Sequence, residues 1–139
     1  MKFKLFGILA AMLITVFTLN AQQGQVQQKV PDLTVDFLVG DIIFVYQSLN
    51  TIEINGREAD AFIQVKEHFK PYMEKWNAEQ PKAEDKTTIT LPVNIAQNML
   101  AFLERAKFAG GNAERYVRVK DAIVAKAQEV QKQMQTSGN

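Results

Sequence analysis

From Asp36 to about Asn50 the apolar residues Leu38, Ile42, Val45 and Leu49 recur at steps of four, three and four. That spacing predicts a helix, and Phe37, Ile43, Phe44 and Tyr46 widen its apolar face beyond a single stripe. Its β-branched residues leave a strand reading open for Ile42 to Tyr46. Asn55-Gly56 marks a turn, after which Ala59, Phe62, Val65 or Lys66, Phe69, Met73 and Trp76 form a second helical stripe. Pro71 lies inside that stripe, where it removes the hydrogen bond to the Glu67 carbonyl and predicts a kink or short break over residues 67 to 71.

Residues 77 to 87 are polar and contain Pro81, as in an exposed linker. Thr90 and Pro92 then read as the N-cap and first turn of a third helix through Val93, Ala96, Met99, Leu100, Leu103 and Ala106, ended by Ala109-Gly110-Gly111. A fourth helix is expected from about Asn112 to Gln133. Two short segments, Thr51 to Asn55 and Thr88 to Leu91, alternate and are rich in β-branched residues, so a small two-stranded addition is an open alternative.

The halves of this pattern resemble one another at an offset of 54 residues. Gly56-x-x-Ala59-Asp60-x-Phe62-Ile63-x-Val65-Lys66-Glu67-x-Phe69 aligns without a gap on Gly110-x-x-Ala113-Glu114-x-Tyr116-Val117-x-Val119-Lys120-Asp121-x-Ile123. Val35 aligns with Ile89 and Leu49 with Leu103. Helical periodicity alone would match the apolar columns, but not the repeated Ala-acid and Val-Lys-acid columns. The expected architecture is therefore all-α: a small four-helix bundle-like domain over residues 32 to 135, built from two duplicated hairpins at about 34 to 76 and 88 to 130.

Ahead of this domain, residues 1 to 21 read as a secretory signal. Lys2 and Lys4 precede an apolar run from Leu5 to Leu19, and Leu19-Asn20-Ala21 supplies a cleavage end. The run is shorter than the roughly 20 apolar residues of a membrane span, although an uncleaved signal anchor stays open. Residues 22 to 31 form a Gln-rich leader, and residues 136 to 139 a disordered tail. These features place the protein in the periplasm or outside the cell.

Cleavage before Gln22 leaves 118 residues with 14 basic and 15 acidic side chains, a net charge of −1. That balance gives no electrostatic footprint for nucleic acid, and membrane contact is expected only if the signal is uncleaved. The absence of cysteine excludes disulfides, thiolate nucleophiles and cysteine-ligated metals.

The candidate chemistry is sparse. His68 is the only histidine and is expected at the edge of the second helix's stripe, without metal partners. The acids Glu53, Glu58, Asp60 and Glu67 lack the Glu-x-x-His pattern of a bundle metal site. Ser48 and Ser137 sit in no nucleophile motif, no phosphate-binding loop is present, and helix-ending glycines account for Gly56 and Gly110-Gly111. Lys66 and Lys120 are expected to be solvated and paired with nearby acids.

The expectation is a non-catalytic protein without cofactor or metal, working through a protein partner or as a homodimer as a binding or assembly module. The candidate interaction surface is Phe37, Ile43, Phe44, Tyr46, Tyr72 and Trp76. Two alternatives stay open: a membrane-tethered envelope or lysis-type accessory protein with its N-terminal anchor retained, and a small hydrolase or metal-binding enzyme using the acids between Glu53 and Glu67.

Overall fold

A computed structural model describes residues 30 to 136. The signal over 1 to 21, most of the leader and the end of the tail lie outside the described residues. The elements are strand β1 (Leu33–Leu38), helix α1 (Val39–Leu49), a 3-10 turn (Gly56–Glu58), helix α2 (Ala59–Glu79), strand β2 (Lys86–Leu91), helix α3 (Val93–Leu103) and helix α4 (Gly110–Thr136).

The all-α expectation is overturned, because β1 and β2 pair as a two-stranded antiparallel sheet and make the fold mixed α/β. β2 contains the segment Thr88 to Leu91, but its partner is not Thr51 to Asn55, which forms no strand. The partner is Leu33 to Leu38, whose Leu-Thr-Val-Asp-Phe-Leu alternation puts Leu33, Val35 and Phe37 inward and Thr34 and Asp36 outward. The first helix accordingly starts at Val39 rather than Asp36, and residues 42 to 46 are helical.

Pairing is in register from Leu33 opposite Leu91 to Leu38 opposite Lys86. Val35 thereby faces Ile89, the residue 54 positions further on, so the strand pair has a local two-fold relation about this contact. Each half has the element order strand, helix, helix, rather than being a lone helical hairpin. The helices of one half make only minor contacts with each other. α2 packs chiefly on α3, α4 packs on β1 and α1, and α3 and α4 scarcely touch. The second helix of each half thus covers elements of the other half, as required when neither half can bury an apolar face alone.

α1 touches all three other helices, and along its length only Gln47 is exposed. The excess apolar surface read in its sequence is therefore shared among several neighbours in the core. Phe69, Ile42, Val45, Leu49, Val65, Ile89, Leu91, Met99 and Leu103 are fully buried. Each large side chain among them contributes about 1.5–3 kcal/mol through removal from water.

Local signals account for the remaining boundaries. α2 runs as one helix through Pro71 to Glu79. Thr90 belongs to β2, and the N-cap position of α3 is Pro92, with no side-chain capping bond. α3 ends at Leu103, and the repeated glycines start helical segments instead of ending them: Gly56 opens the 3-10 turn and Gly110 opens α4. Before α2, the Asn55 N–H donates to the Glu58 carboxylate at 2.9 Å and Arg105 donates to it at 3.0 Å. The Asn55 hydrogen bond, with help from Arg105, holds the Glu58 carboxyl below its ordinary value.

α2 stops at Gln80, a left-handed residue with φ 52°, whose N–H donates to the Trp76 carbonyl at 2.9 Å. Glycine adopts this conformation without the Cβ clash that glutamine bears. Gln80→Gly is expected to raise the free energy of unfolding by about 0.5 kcal/mol, less than a full strain release because the side-chain bond to the Asn77 carbonyl is lost. Urea denaturation reads this, and a loss of stability would refute it.

Candidate functional site

The sheet, the start of α1 and the middle of α4 meet at a cleft of ≈ 200 Å³ lined by Asp36, Phe37, Leu38, Asp41, Lys86, Arg118, Val119 and Ala122. Strand alternation turns Asp36 outward, and Lys86 opens β2 opposite Leu38. Asp41 stands in the first turn of α1, where the helix dipole favours a carboxylate.

Asp41 is 4% exposed, whereas the Arg118 side chain above it is 49% exposed. The guanidinium grips the carboxylate in a fork: Nε donates to Oδ2 at 2.9 Å and Nη2 to Oδ1 at 2.8 Å. This hydrogen bonding holds the Arg118 proton more tightly than in a free guanidinium. Nearby, the Thr88 hydroxyl donates to Asp36 at 2.6 Å. Both carboxylates are thus engaged by donors, whereas Arg118 Nη1 carries no hydrogen bond to the described residues and Lys86 has no polar partner among them.

The residues expected to form an interaction surface divide into two groups. Phe37 and Trp76 are buried, at 6% and 7% exposure, and contribute to the core. Ile43, Phe44, Tyr46 and Tyr72 are half-buried and pack against it. The structure brings Phe44 to Phe108 at 5.5 Å between ring centroids and Tyr72 to Trp76 at 6.0 Å. Tyr46 lies beneath Lys66, whose ammonium is 4.5 Å from the ring centroid and also donates to Asn50. The repeat-equivalent Lys120 sits over Tyr116 at 5.7 Å. The repeated lysine column therefore meets aromatic rings, a contact the expectation of acidic partners did not contain.

Among the described residues, the large apolar side chains left exposed are different ones: Ile63 at 55% and Val117 at 43%. They are equivalent positions of the repeat, and each follows a half-buried aromatic, Phe62 or Tyr116. Phe62 packs edge-on against Phe102 at 5.4 Å, and Tyr116 stacks on Phe108 at 5.1 Å. Burial, followed by the Glu104 charge, raises the proton affinity of the Tyr116 phenol. The sequence carries a signal for both residues, because they fall just off the apolar stripes of their helices.

His68 is half-buried on α2, with Nε2 unpartnered among the described residues and its ring edge-on to Phe69 at 5.4 Å. Among the described residues no group of three or more His, Asp or Glu side chains is placed to hold a metal ion. Comparison with known proteins returns no matching family model, curated protein or solved structure, so the functional reading rests on this chain's own residues.

Proposed function

We propose that this protein is an exported, non-catalytic module that acts through protein contacts in the periplasm or cell envelope. The observation that carries the reading is the exposure of Ile63 and Val117 at equivalent places in the two halves. A single exposed aliphatic residue is ordinary on any surface. Two at the same repeat position, each next to a half-buried aromatic that packs on a second ring, present similar apolar features on α2 and α4. Rigid apolar groups of this kind suit contact with a protein surface, where burial of apolar area supplies the drive. Export is read from residues 1 to 21; among the described residues no helix is long and apolar enough to cross a membrane.

The test places a photoreactive phenylalanine at Ile63, at Val117 and, as a control, at Lys75 on α2, whose side chain is 63% exposed. Irradiation of cells producing the full chain is expected to give discrete adducts from the first two positions and none from the third. Absence of adducts at both apolar positions, or the same adducts from Lys75, would overturn the reading. The intact mass of the recovered protein discriminates its setting: a chain starting at Gln22 fits a released module, and one starting at Met1 fits a membrane-tethered protein.

A further inference from the structure

The repeat offers an internal control for the cleft beside Asp41. At the offset of 54 residues, Asp41 corresponds to Ile95, Arg118 to Gln64, Lys86 to Asp32 and Ala122 to His68. Ile95 is itself buried, at 6% exposure, so an aliphatic side chain meets the packing needs of the equivalent turn in α3. A buried carboxylate gripped by arginine is seldom more stabilising than a well-packed aliphatic group, because desolvation offsets the attraction. The charged pair is thus no requirement of the repeated fold. It does hold a half-exposed guanidinium in one orientation at the rim of a cleft.

We infer that this cleft is a binding site for a carboxylate carried on a short apolar body. Asp41 accepts from Arg118 through both oxygens and exposed Asp36 accepts from Thr88 through Oδ1, whereas two cationic donors of the lining, Arg118 Nη1 and the Lys86 ammonium, have no polar partner among the described residues. An acceptor with negative charge complements both. Leu38 and Ala122, half-buried, supply the apolar wall, and Ala122 is small where the other half carries a histidine. The volume of ≈ 200 Å³ suits a small acid, given that a cavity of about 150 Å³ accepts benzene. The cleft stands or falls independently of the contact surface of Ile63 and Val117.

The test titrates the full recovered chain, labelled with ¹⁵N, against benzoate and benzamide, and against N-acetyl-leucine and N-acetyl-leucinamide. Saturable amide shifts centred on residues 36 to 41, 86 and 118 to 122 are expected with the acids and not with the amides. Lys86→Gln, at an exposed position that folding does not need, should weaken binding about tenfold. The double variant D41I/R118Q, which copies the other half, should abolish it. Binding of benzoate alone identifies a free organic acid as the ligand type, whereas tighter binding of N-acetyl-leucine identifies a peptide C-terminus. Absence of saturable shifts with both acids, equal shifts with the amides, or full affinity in either variant would overturn the assignment.

Discussion

Arg118→Ala lowers the free energy of unfolding by about 2–3 kcal/mol at neutral pH, measured by urea denaturation. The loss arises from the partner left behind. Asp41 is 4% exposed and its carboxylate accepts from Arg118 through both oxygens, so truncation strands a charge in the protein interior. The value lies below the 3–5 kcal/mol typical of fully buried pairs, because the arginine side chain is 49% exposed and its removal lets water approach Asp41. Asp41→Ile alone is expected to cost less than about 1 kcal/mol, since the guanidinium it releases can turn into solvent. D41I/R118Q should then return to within about 1 kcal/mol of the parent protein, a non-additivity that measures the coupling. A double variant as unstable as Arg118→Ala would show that the pair is a structural need of this half, and would remove the contrast with Ile95.

The helices were largely legible in the sequence because each carries a stripe at helical spacing long enough to outweigh local exceptions. α2 kept its period across Pro71, and packing against α3 holds one helix there despite the missing hydrogen bond. The strands were harder to read. β1 is six residues long and runs directly into α1, so Phe37 and Leu38 fit the helical period of α1 as well as the two-residue period of β1. The arrangement of helices was not legible, since the repeat shows that two halves must share a core but not that their second helices exchange sides.

The cleft illustrates the same limit. Asp41 was not singled out from the sequence, although a lone charge in the apolar run Val39 to Val45 is a signal that such a residue has a partner. The partner, Arg118, is 77 residues away and stands between Val117 and Val119 on α4, where nothing in the local pattern marks it. In the same way, Ile63 and Val117 are written in the repeat, but their exposure depends on how α2 and α4 dock.

Gly40→Val is expected to destabilise the protein by about 3 kcal/mol, and Gly40→Ala by about 1–2 kcal/mol even though alanine is the better helix former by about 1 kcal/mol. Gly40 is buried in the first turn of α1, where the loop that leads into β2 crosses it. The Val39 N–H donates to the Asp85 carbonyl and the Gly40 N–H to the Ala83 carbonyl, both at 2.9 Å. A Cβ on Gly40 would stand 2.7 Å from the Ala83 Cβ, 3.0 Å from its carbonyl oxygen and 3.1 Å from its Cα. These are mostly backbone atoms, so relief requires the loop to lift, which stretches both hydrogen bonds and pulls on Lys86 at the start of β2. The loop is exposed and can yield in part, which keeps the alanine cost moderate; the branched valine cannot be relieved by so small a movement. Adding Ala83→Gly removes only the nearest of the three contacts and should rescue Gly40→Ala in part. Urea midpoints decide between the two opposing effects: a Gly40→Ala protein more stable than the parent would mean that helix propensity outweighs the close crossing, and that the junction of α1 with β2 is looser than these distances imply.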